Sequence, residues 1–150
     1  SKVSASIHAV KELFPNRSLI SCLELHTFSS LNLDFISEYA NSFLYSDYVL
    51  IYYSIKELKR KKINIFYKQD IINLINHDKV IVFNDSSRIK EFILQENWNN
   101  KNLLLMTSGN FNGLNIDVFL NQNDPTTAWS FKGVSLIGFF TDTNLLILDN

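Results

Sequence analysis

Short apolar runs alternate with helical patterns along most of this chain, and that alternation limits the folds open to it. The apolar runs are short and suit strands better than helices, and they lie at 19–25, 48–53, 80–83 and 103–106. Apolar residues at helical spacing lie before and between these runs, at 3–14, 33–44, 70–75 and 87–95. Strands separated by helices of this length predict an α/β fold, with a mainly parallel sheet and helices on both faces.

Capping signals mark the starts of two of the predicted helices. Asn32 or Ser30 can cap the second helix, and Asp85 or Ser86 the fourth. A side-chain oxygen at such a position accepts a hydrogen bond from a free amide of the first helical turn. Trp98 and the apolar stripe of the second helix are assigned to the core.

Three segments give less regular predictions. Residues 54–68 hold the basic cluster 59–62 between apolar residues, and no element is assigned there. Residues 111–120 predict a further helix. The apolar stretch 131–148, with a turn at 141–144, predicts a hairpin or edge strands added to the sheet.

Charge and apolar content narrow the class of protein. With 46% hydrophobic residues in a length of 150, the chain can bury a core, and one domain is expected. A net charge of -1 gives no overall field that attracts nucleic acid or anionic lipid, so neither is expected as a partner. No run approaches the roughly 20 apolar residues of a membrane span, and no signal peptide is evident. The lone Cys22 fits a reducing compartment, so we expect a cytoplasmic protein.

The segment 22–32 is the first of two candidate binding motifs. Its strand-like run ends in polar residues just before a helical pattern, where open α/β sheets bind ligands. Glu24 and His26 are two positions apart on a strand and project to the same face, where both can reach a ligand. Ser29 and Ser30 can present hydroxyls and free amides to an anion. Capping and structural hydrogen bonds are the alternative, and they produce the same spacing.

The segment 103–113 is the second motif, and it also begins with a strand. Its turn at 107–113 resembles a phosphate cradle, but it lacks the Lys-Ser/Thr of a P-loop and the Gly-x-Gly-x-x-Gly spacing. Gly109 and Gly113 can instead supply unusual backbone angles. We expect no independent nucleotide binding, and we expect the two motifs to form the edges of one crevice.

Other chemically reactive residues lead to weaker predictions. Cys22 lies in the apolar part of its strand and is expected in the core. The three histidines lack partners at metal-ligand spacing, so no metal site is expected. The basic run 59–62 has Tyr53, Phe66 and Tyr67 nearby, a combination that nucleic-acid surfaces use, although a solvated loop is the commoner origin.

With its flanks, the first motif resembles the start of the C-terminal domain of Mur ligases. In that family a helix ends in a turn of the form (Tyr/Phe)-Pro-(Asp/Asn)-(Arg/Lys), matched here by 14–17 within the similar run 9–32. The strand that follows ends in a polar loop that faces the substrate. Residues 58–63 and 103–113 continue the resemblance, which covers 1–120. It is strongest to the UDP-N-acetylmuramate ligases, including the enzyme that reattaches recycled murein tripeptide.

This resemblance implies part of a bacterial ligase of peptidoglycan synthesis or recycling. Such an enzyme joins L-alanine or tripeptide to the muramic carboxyl group through an acyl phosphate. The C-terminal domain is Rossmann-like and carries the acceptor to an ATPase domain, which uses ATP and magnesium and binds UDP-N-acetylmuramate. By resemblance no residue of this chain is catalytic, and the acceptor meets two loops that contain Glu24, His26, Thr27, Ser29, Ser30, Ser108, Gly109, Asn110 and Gly113.

The chain departs from the family pattern in four places. It lacks the Gly-x-x-Gly-Lys-Thr phosphate loop and the magnesium ligands, so it is expected to catalyse nothing alone. The Asp-x-x-His-x-Pro segment is missing too, and Ser1 and Lys2 follow directly where it would end, which implies a fragment without the first strand. Thr27 and Ser30 stand where alanine-adding members carry two arginines, which weakens the case for a carboxylate clamp. Residues 121–150 match no known pattern and are expected to pack on the same domain as an extension.

The sequence is therefore consistent with three functions. The first is the acceptor-binding domain of a muramate ligase, which positions L-alanine or tripeptide. The second is a stand-alone α/β binding or interaction module without ligase activity. The third, a nucleic-acid binder that uses residues 59–62, ranks last because the net charge of the chain is -1.

Overall fold

The structure is a computed structural model that describes residues 2–107 and residue 111, and the backbone alone of residues 136–140 and 145–149. The elements follow one another as α1 (Lys2–Leu13), β1 (Ser18–Leu25), α2 (Leu33–Ile36), a 3-10 turn (Ser37–Tyr39), β2 (Tyr48–Tyr53), α3 (Ile55–Arg60), α4 (Lys68–Ile75), β3 (Val80–Phe83), α5 (Ser86–Gln95), β4 (Lys101–Met106), β5 (Leu136–Phe140) and β6 (Leu145–Asp149).

The strands form one twisted sheet in the order β3-β2-β1-β4-β5-β6. Neighbours from β3 to β5 run parallel, and β6 pairs with β5 antiparallel. The protein therefore has the predicted Rossmann-like α/β fold. The chain leaves β1 toward β2 and β3 on one side and later returns on the other side as β4. Strand order thus reverses between β1 and β4, which is the position where open α/β sheets place ligands.

Helices cover both faces of the sheet, as predicted. Alternate strand residues such as Leu23 and Cys22 point to opposite faces, because the side-chain period of a strand is two. The first face, which we call the four-helix face, packs against buried residues of α1 to α4, including Ile7, Ile36, Leu58 and Ile71. The second, the α5 face, packs against Ile89, Ile93, Trp98 and Phe111.

The capping predictions are confirmed, and at each helix the structure shows which of the two candidate residues is the cap. The Asn32 side chain accepts a hydrogen bond from the amide of Asp34 at 2.9 Å, and that of Asp85 accepts one from Ser87 at 2.9 Å. Residues 54–68, for which no element was predicted, contain α3, and the Ser54 hydroxyl caps its first turn. Each cap satisfies an amide that has no partner within its own helix.

The predicted helix at 33–44 is wrong beyond its first turns. It ends at Tyr39, and the remaining residues form turns that leave Leu44 72% exposed and bury Phe43. The reason is the neighbouring strand. The Asp47 amide donates to the Leu19 carbonyl at 2.9 Å, and the Asp47 carboxylate accepts from the Leu19 amide at 2.7 Å. This attachment to β1 positions the chain for β2 and overrides helical periodicity.

The final stretch extends the sheet, which confirms the prediction of an added hairpin or edge strands. β5 lies parallel to β4 with Leu104 opposite Gly138, and β6 closes the described sheet. The helix predicted at 111–120 and the turn at 141–144 lie outside the described residues, apart from Phe111 itself. Among the helices described, none has the length and apolar character needed to cross a membrane.

Candidate functional site

The two candidate motifs lie side by side at the reversal of strand order. β1 and β4 are neighbours, and their register places Leu23 opposite Met106. The next residue along each strand is Glu24 on β1 and Thr107 just beyond β4. The carboxyl ends of the two strands therefore bring both motifs to the same edge of the sheet.

Glu24 connects the two motifs. Its side chain is only 5% exposed, and its carboxylate accepts a hydrogen bond from the Thr107 hydroxyl. The backbone amide of Phe111 also donates to this carboxylate. Buried carboxylates require such donors, because a charge without partners is costly away from water. Glu24 therefore fixes the loop that follows β4 against the end of β1.

Two aromatic residues of the α5-face core, Tyr52 and Phe111, are neighbours of Glu24. Tyr52 of β2 lies opposite Glu24 in the strand register and is 1% exposed. Its ring centroid is 6.0 Å from that of Phe111, which is fully buried. Phe111 has a φ of 52°, a left-handed conformation that is sterically unfavourable for a bulky residue. The hydrogen bond to Glu24 and the contact with Tyr52 offset this strain.

Burial raises the pKa of Glu24 above its ordinary value of 4.5. The Thr107 hydroxyl, a nearby His26 and the Phe111 amide act in the opposite direction, and Glu57 adds to the increase. Desolvation is the largest of these effects. The carboxyl group at the junction of the motifs is consequently a weaker acid than a glutamate in water.

Replacing Glu24 with glutamine is expected to remove a pH-dependent loss of stability. The folded protein holds the Glu24 proton more tightly than the unfolded chain, so stability falls as the pH rises from 4.5 toward the folded-state pKa. Glutamine keeps one acceptor for the Phe111 amide and a donor for Thr107, and it does not titrate. The stability of Glu24→Gln relative to the wild type should therefore rise across this interval.

Melting temperatures of both proteins over a series of pH values measure this difference. Glu57 has a pKa of about 2, chiefly through hydrogen bonding to Arg60, and its contribution changes with pH in the opposite direction. Since Glu57 is present in both proteins, comparison with Glu24→Gln isolates the effect of Glu24. Parallel pH profiles would contradict the assignment.

Two hydroxyls predicted to meet a ligand are used within the first loop. The Thr27 hydroxyl accepts from the Ser30 amide at 3.1 Å and donates to the Ser30 hydroxyl at 3.0 Å, and that hydroxyl donates to the Thr27 carbonyl at 3.1 Å. Ser30 is buried, whereas Thr27 and Ser29 are exposed and His26 is partly exposed. Ser30 therefore has the structural role that was the alternative to ligand binding, while His26 and Ser29 are open to a ligand.

The second loop is described only at its ends. Ser108, Gly109, Asn110 and Gly113 lie outside the described residues. Thr107 and Phe111, which are not among the predicted acceptor residues, contact Glu24. The available signal was the position of Thr107 as the first polar residue after an apolar strand.

Cysteine and histidine chemistry is limited in the described part of the chain. Cys22 is completely buried, as expected, and burial raises the pKa of its thiol. His77 is structural: its Nδ1 accepts from the Lys79 amide at 3.0 Å, so Nε2 carries the proton and donates to the Ser46 carbonyl at 2.8 Å. Within residues 2–107 and 111, no three His, Cys, Asp or Glu side chains are grouped to hold a metal ion.

Comparisons of the chain with protein-family models, characterised proteins and solved structures give no match. The fold is compatible with many activities, so functional argument depends on the site itself.

Proposed function

We propose that this chain is the acceptor-binding domain of an ATP-dependent muramate ligase, and that it positions L-alanine or a murein peptide at the carboxyl ends of β1 and β4. The observation that supports this proposal is the hydrogen-bonded junction of Glu24 with Thr107 and Phe111. It joins the two loops that the Mur-ligase resemblance assigns to the acceptor. An enzyme that must orient an amine needs such a rigid edge more than it needs a base there.

The side chains divide this task between support and contact. Glu24 is too buried to serve as the main ligand contact, so it supports the second loop. His26 and Ser29 lie at the accessible side of the first loop and are available to hydrogen-bond the acceptor. The acceptor amine then attacks an acyl phosphate formed in the ATPase domain, and the phosphate departs there.

The described residues of this chain do not form a phosphate-binding site for ATP. The first loop is closed by hydrogen bonds between Thr27 and Ser30, and the Glu24 carboxylate at the strand-order reversal repels a polyphosphate. No described segment carries a phosphate-binding lysine loop. We therefore assign no step of ATP chemistry to this chain.

The proposal predicts a selective kinetic defect when His26 is replaced by alanine. The test uses a protein that joins this chain to a Mur-type ATPase region. Because Glu24 holds the acceptor loops in place, the joined protein should ligate UDP-N-acetylmuramate to L-alanine or to tripeptide. His26→Ala should lower kcat/KM for the acceptor about fivefold, since losing one well-placed hydrogen bond costs about 1 kcal/mol, and leave KM for ATP unchanged.

A matched control uses another histidine. His8 is exposed on α1, where its ring contacts Tyr45 and Glu12, and His8→Ala should leave all kinetic constants unchanged. Absence of turnover with both acceptors in the joined wild-type protein would refute the proposed function.

A stand-alone interaction module is the second candidate. The exposed Phe28 in the first loop favours it, because this side chain is 65% exposed beside other apolar residues. The ligation assay separates the two candidates, since only a ligase domain supports turnover.

A further inference from the structure

An open apolar groove lies next to the first loop, on the four-helix face of the sheet. Its volume is about 490 Å³, and its apolar lining comes from two segments, with side chains Phe28, Leu31, Leu33, Ile63, Ile65 and Phe66. Phe28 is 65% exposed and Ile65 is 49% exposed, whereas Leu31 and Phe66 are buried and form the floor. Single exposed apolar residues are ordinary, but several around one groove are typical of an interaction site.

Positive charge borders one end of this groove. The Lys61 Nζ lies 5.2 Å from the centroid of the Phe28 ring and 3.2 Å from a Glu57 carboxylate oxygen. Lys62 immediately precedes the lining residue Ile63 and is exposed. In the part of the chain that the structure describes, Lys62 forms no ion pair. Its charge is therefore available to a partner.

Lys62 also occupies a backbone position that favours glycine. It follows the end of α3 with a φ of 56°, and the next amide, that of Ile63, bonds back to the Leu58 carbonyl at 2.9 Å. Helices commonly end in this way with glycine, which adopts left-handed angles without steric cost. Replacing Lys62 with glycine thus removes the charge without harming the fold.

We propose that this groove binds an acidic, apolar segment of a partner protein. Apolar side chains of that segment pack on Phe28 and Ile65, and its carboxylates lie toward Lys62, since the Lys61 side chain is 7% exposed and already paired with Glu57. In such a site the apolar centre provides the contact area, and complementary charge at its border provides the selectivity. This inference does not depend on the ligase proposal, because it uses neither the Glu24 junction nor the loop after β4.

Two of the aromatic residues that follow or precede the basic run are closed to nucleic acid. Of the three aromatic residues near the basic run, Tyr53 is 1% exposed and Phe66 is 4% exposed, and the Tyr53 hydroxyl donates to the Phe66 carbonyl. Neither ring is available to stack on a base, and stacking is what such surfaces require. Only Tyr67 of the three is exposed.

A second copy of the chain also fits poorly. A symmetric dimer places identical patches against each other. Here the residues that line the groove include no carboxylate, so Lys62 of one copy would find no acidic partner in the groove of the other.

Selection from a library of random dodecapeptides tests this proposal. Peptides are selected on the wild-type chain and counter-selected on the double variant Phe28→Ser, Lys62→Gly. Enriched peptides should combine aromatic or aliphatic residues with Asp or Glu. In fluorescence anisotropy, a synthesised peptide should bind each single variant about tenfold more weakly than the wild type, as expected for loss of a central interface contact.

Matched variants and a nucleic-acid probe complete the experiment. Leu44→Ser removes a comparably exposed apolar side chain, and Lys90→Ala removes an exposed cation of α5, and neither should alter peptide binding. Lys62→Gly should melt no lower than the wild type, which excludes misfolding as the cause of lost binding.

Three results would overturn the proposal. One is no enrichment of peptides that depend on Phe28 and Lys62. Another is tight binding of labelled oligouridine that Lys62→Gly weakens, whether or not Phe28→Ser weakens it too. The last is a concentration-dependent dimer, measured by sedimentation, that Phe28→Ser abolishes.

Discussion

Replacement of Glu24 by alanine is expected to destabilise the protein by about 2 to 3 kcal/mol, because a buried hydrogen-bonded side chain is removed. The Phe111 amide loses its carboxylate acceptor, and the Thr107 hydroxyl loses one partner. The variant no longer pays the cost of burying the Glu24 carboxyl group, which offsets part of this loss. The expected destabilisation is therefore smaller than that for breaking a buried ion pair. Urea denaturation measures the change, and hydrogen exchange at Phe111 should become faster.

Two conservative variants distinguish the loss of the Glu24 hydrogen bonds from the loss of side-chain volume. Glu24→Gln keeps both contacts and does not titrate, so it should be at least as stable as the wild type at neutral pH. Thr107→Val keeps the shape of the side chain and removes one donor, so it should cost about 1 kcal/mol and leave Phe111 protected from exchange. Glu24→Ala with wild-type stability, or with unchanged exchange at Phe111, would refute the role of Glu24 in holding the loop.

Replacement of Trp98 by alanine is expected to cost about 3 to 5 kcal/mol, the largest effect of any substitution considered for this protein. Trp98 is 1% exposed in the core of the α5 face, and its indole N–H donates to the Ile93 carbonyl at 2.8 Å. That carbonyl lies in the last turn of α5, where helical acceptors are otherwise lost. The substitution therefore leaves a cavity and removes a C-terminal cap together.

Phenylalanine at this position distinguishes the two contributions. Trp98→Phe retains most of the packing and loses the N–H, so about 1 to 2 kcal/mol is expected. The exposed neighbour Asn99 provides the control, since Asn99→Ala should change stability by less than about 0.5 kcal/mol. Chemical denaturation of the three variants measures these values. A loss below about 1 kcal/mol for Trp98→Ala would show that the α5 face does not depend on this side chain.

The regular elements could be predicted where apolar pattern and capping agreed. The run 48–53 coincides with β2 (Tyr48–Tyr53), and Asp85 caps α5 as expected. α3 was missed because Leu58 is its only buried residue, so its sequence shows little apolar periodicity. The signal that does identify it is Ser54 followed three residues later by Glu57, the spacing of a capping box.

The contacts within the candidate site could not be predicted in the same way. Glu24 and Thr107 are 83 residues apart, and their meeting depends on the order and register of the strands. Alternation of strands and helices gives the direction of the strands but leaves open which of them are neighbours. The exposure of Phe28 likewise depends on the turn between Thr27 and Ser30, a local hydrogen-bond pattern that apolar spacing does not reveal.

The central position of β1 has a consequence for synthesis on the ribosome. β1 receives β2 soon after it is made, but its other edge remains open until β4 is complete, near residue 106. Until then the nascent chain exposes an unpaired apolar strand, the type of edge on which proteins aggregate. A chain cut short before residue 101 would keep this edge permanently, so truncated products should be insoluble even though every described helix is already present.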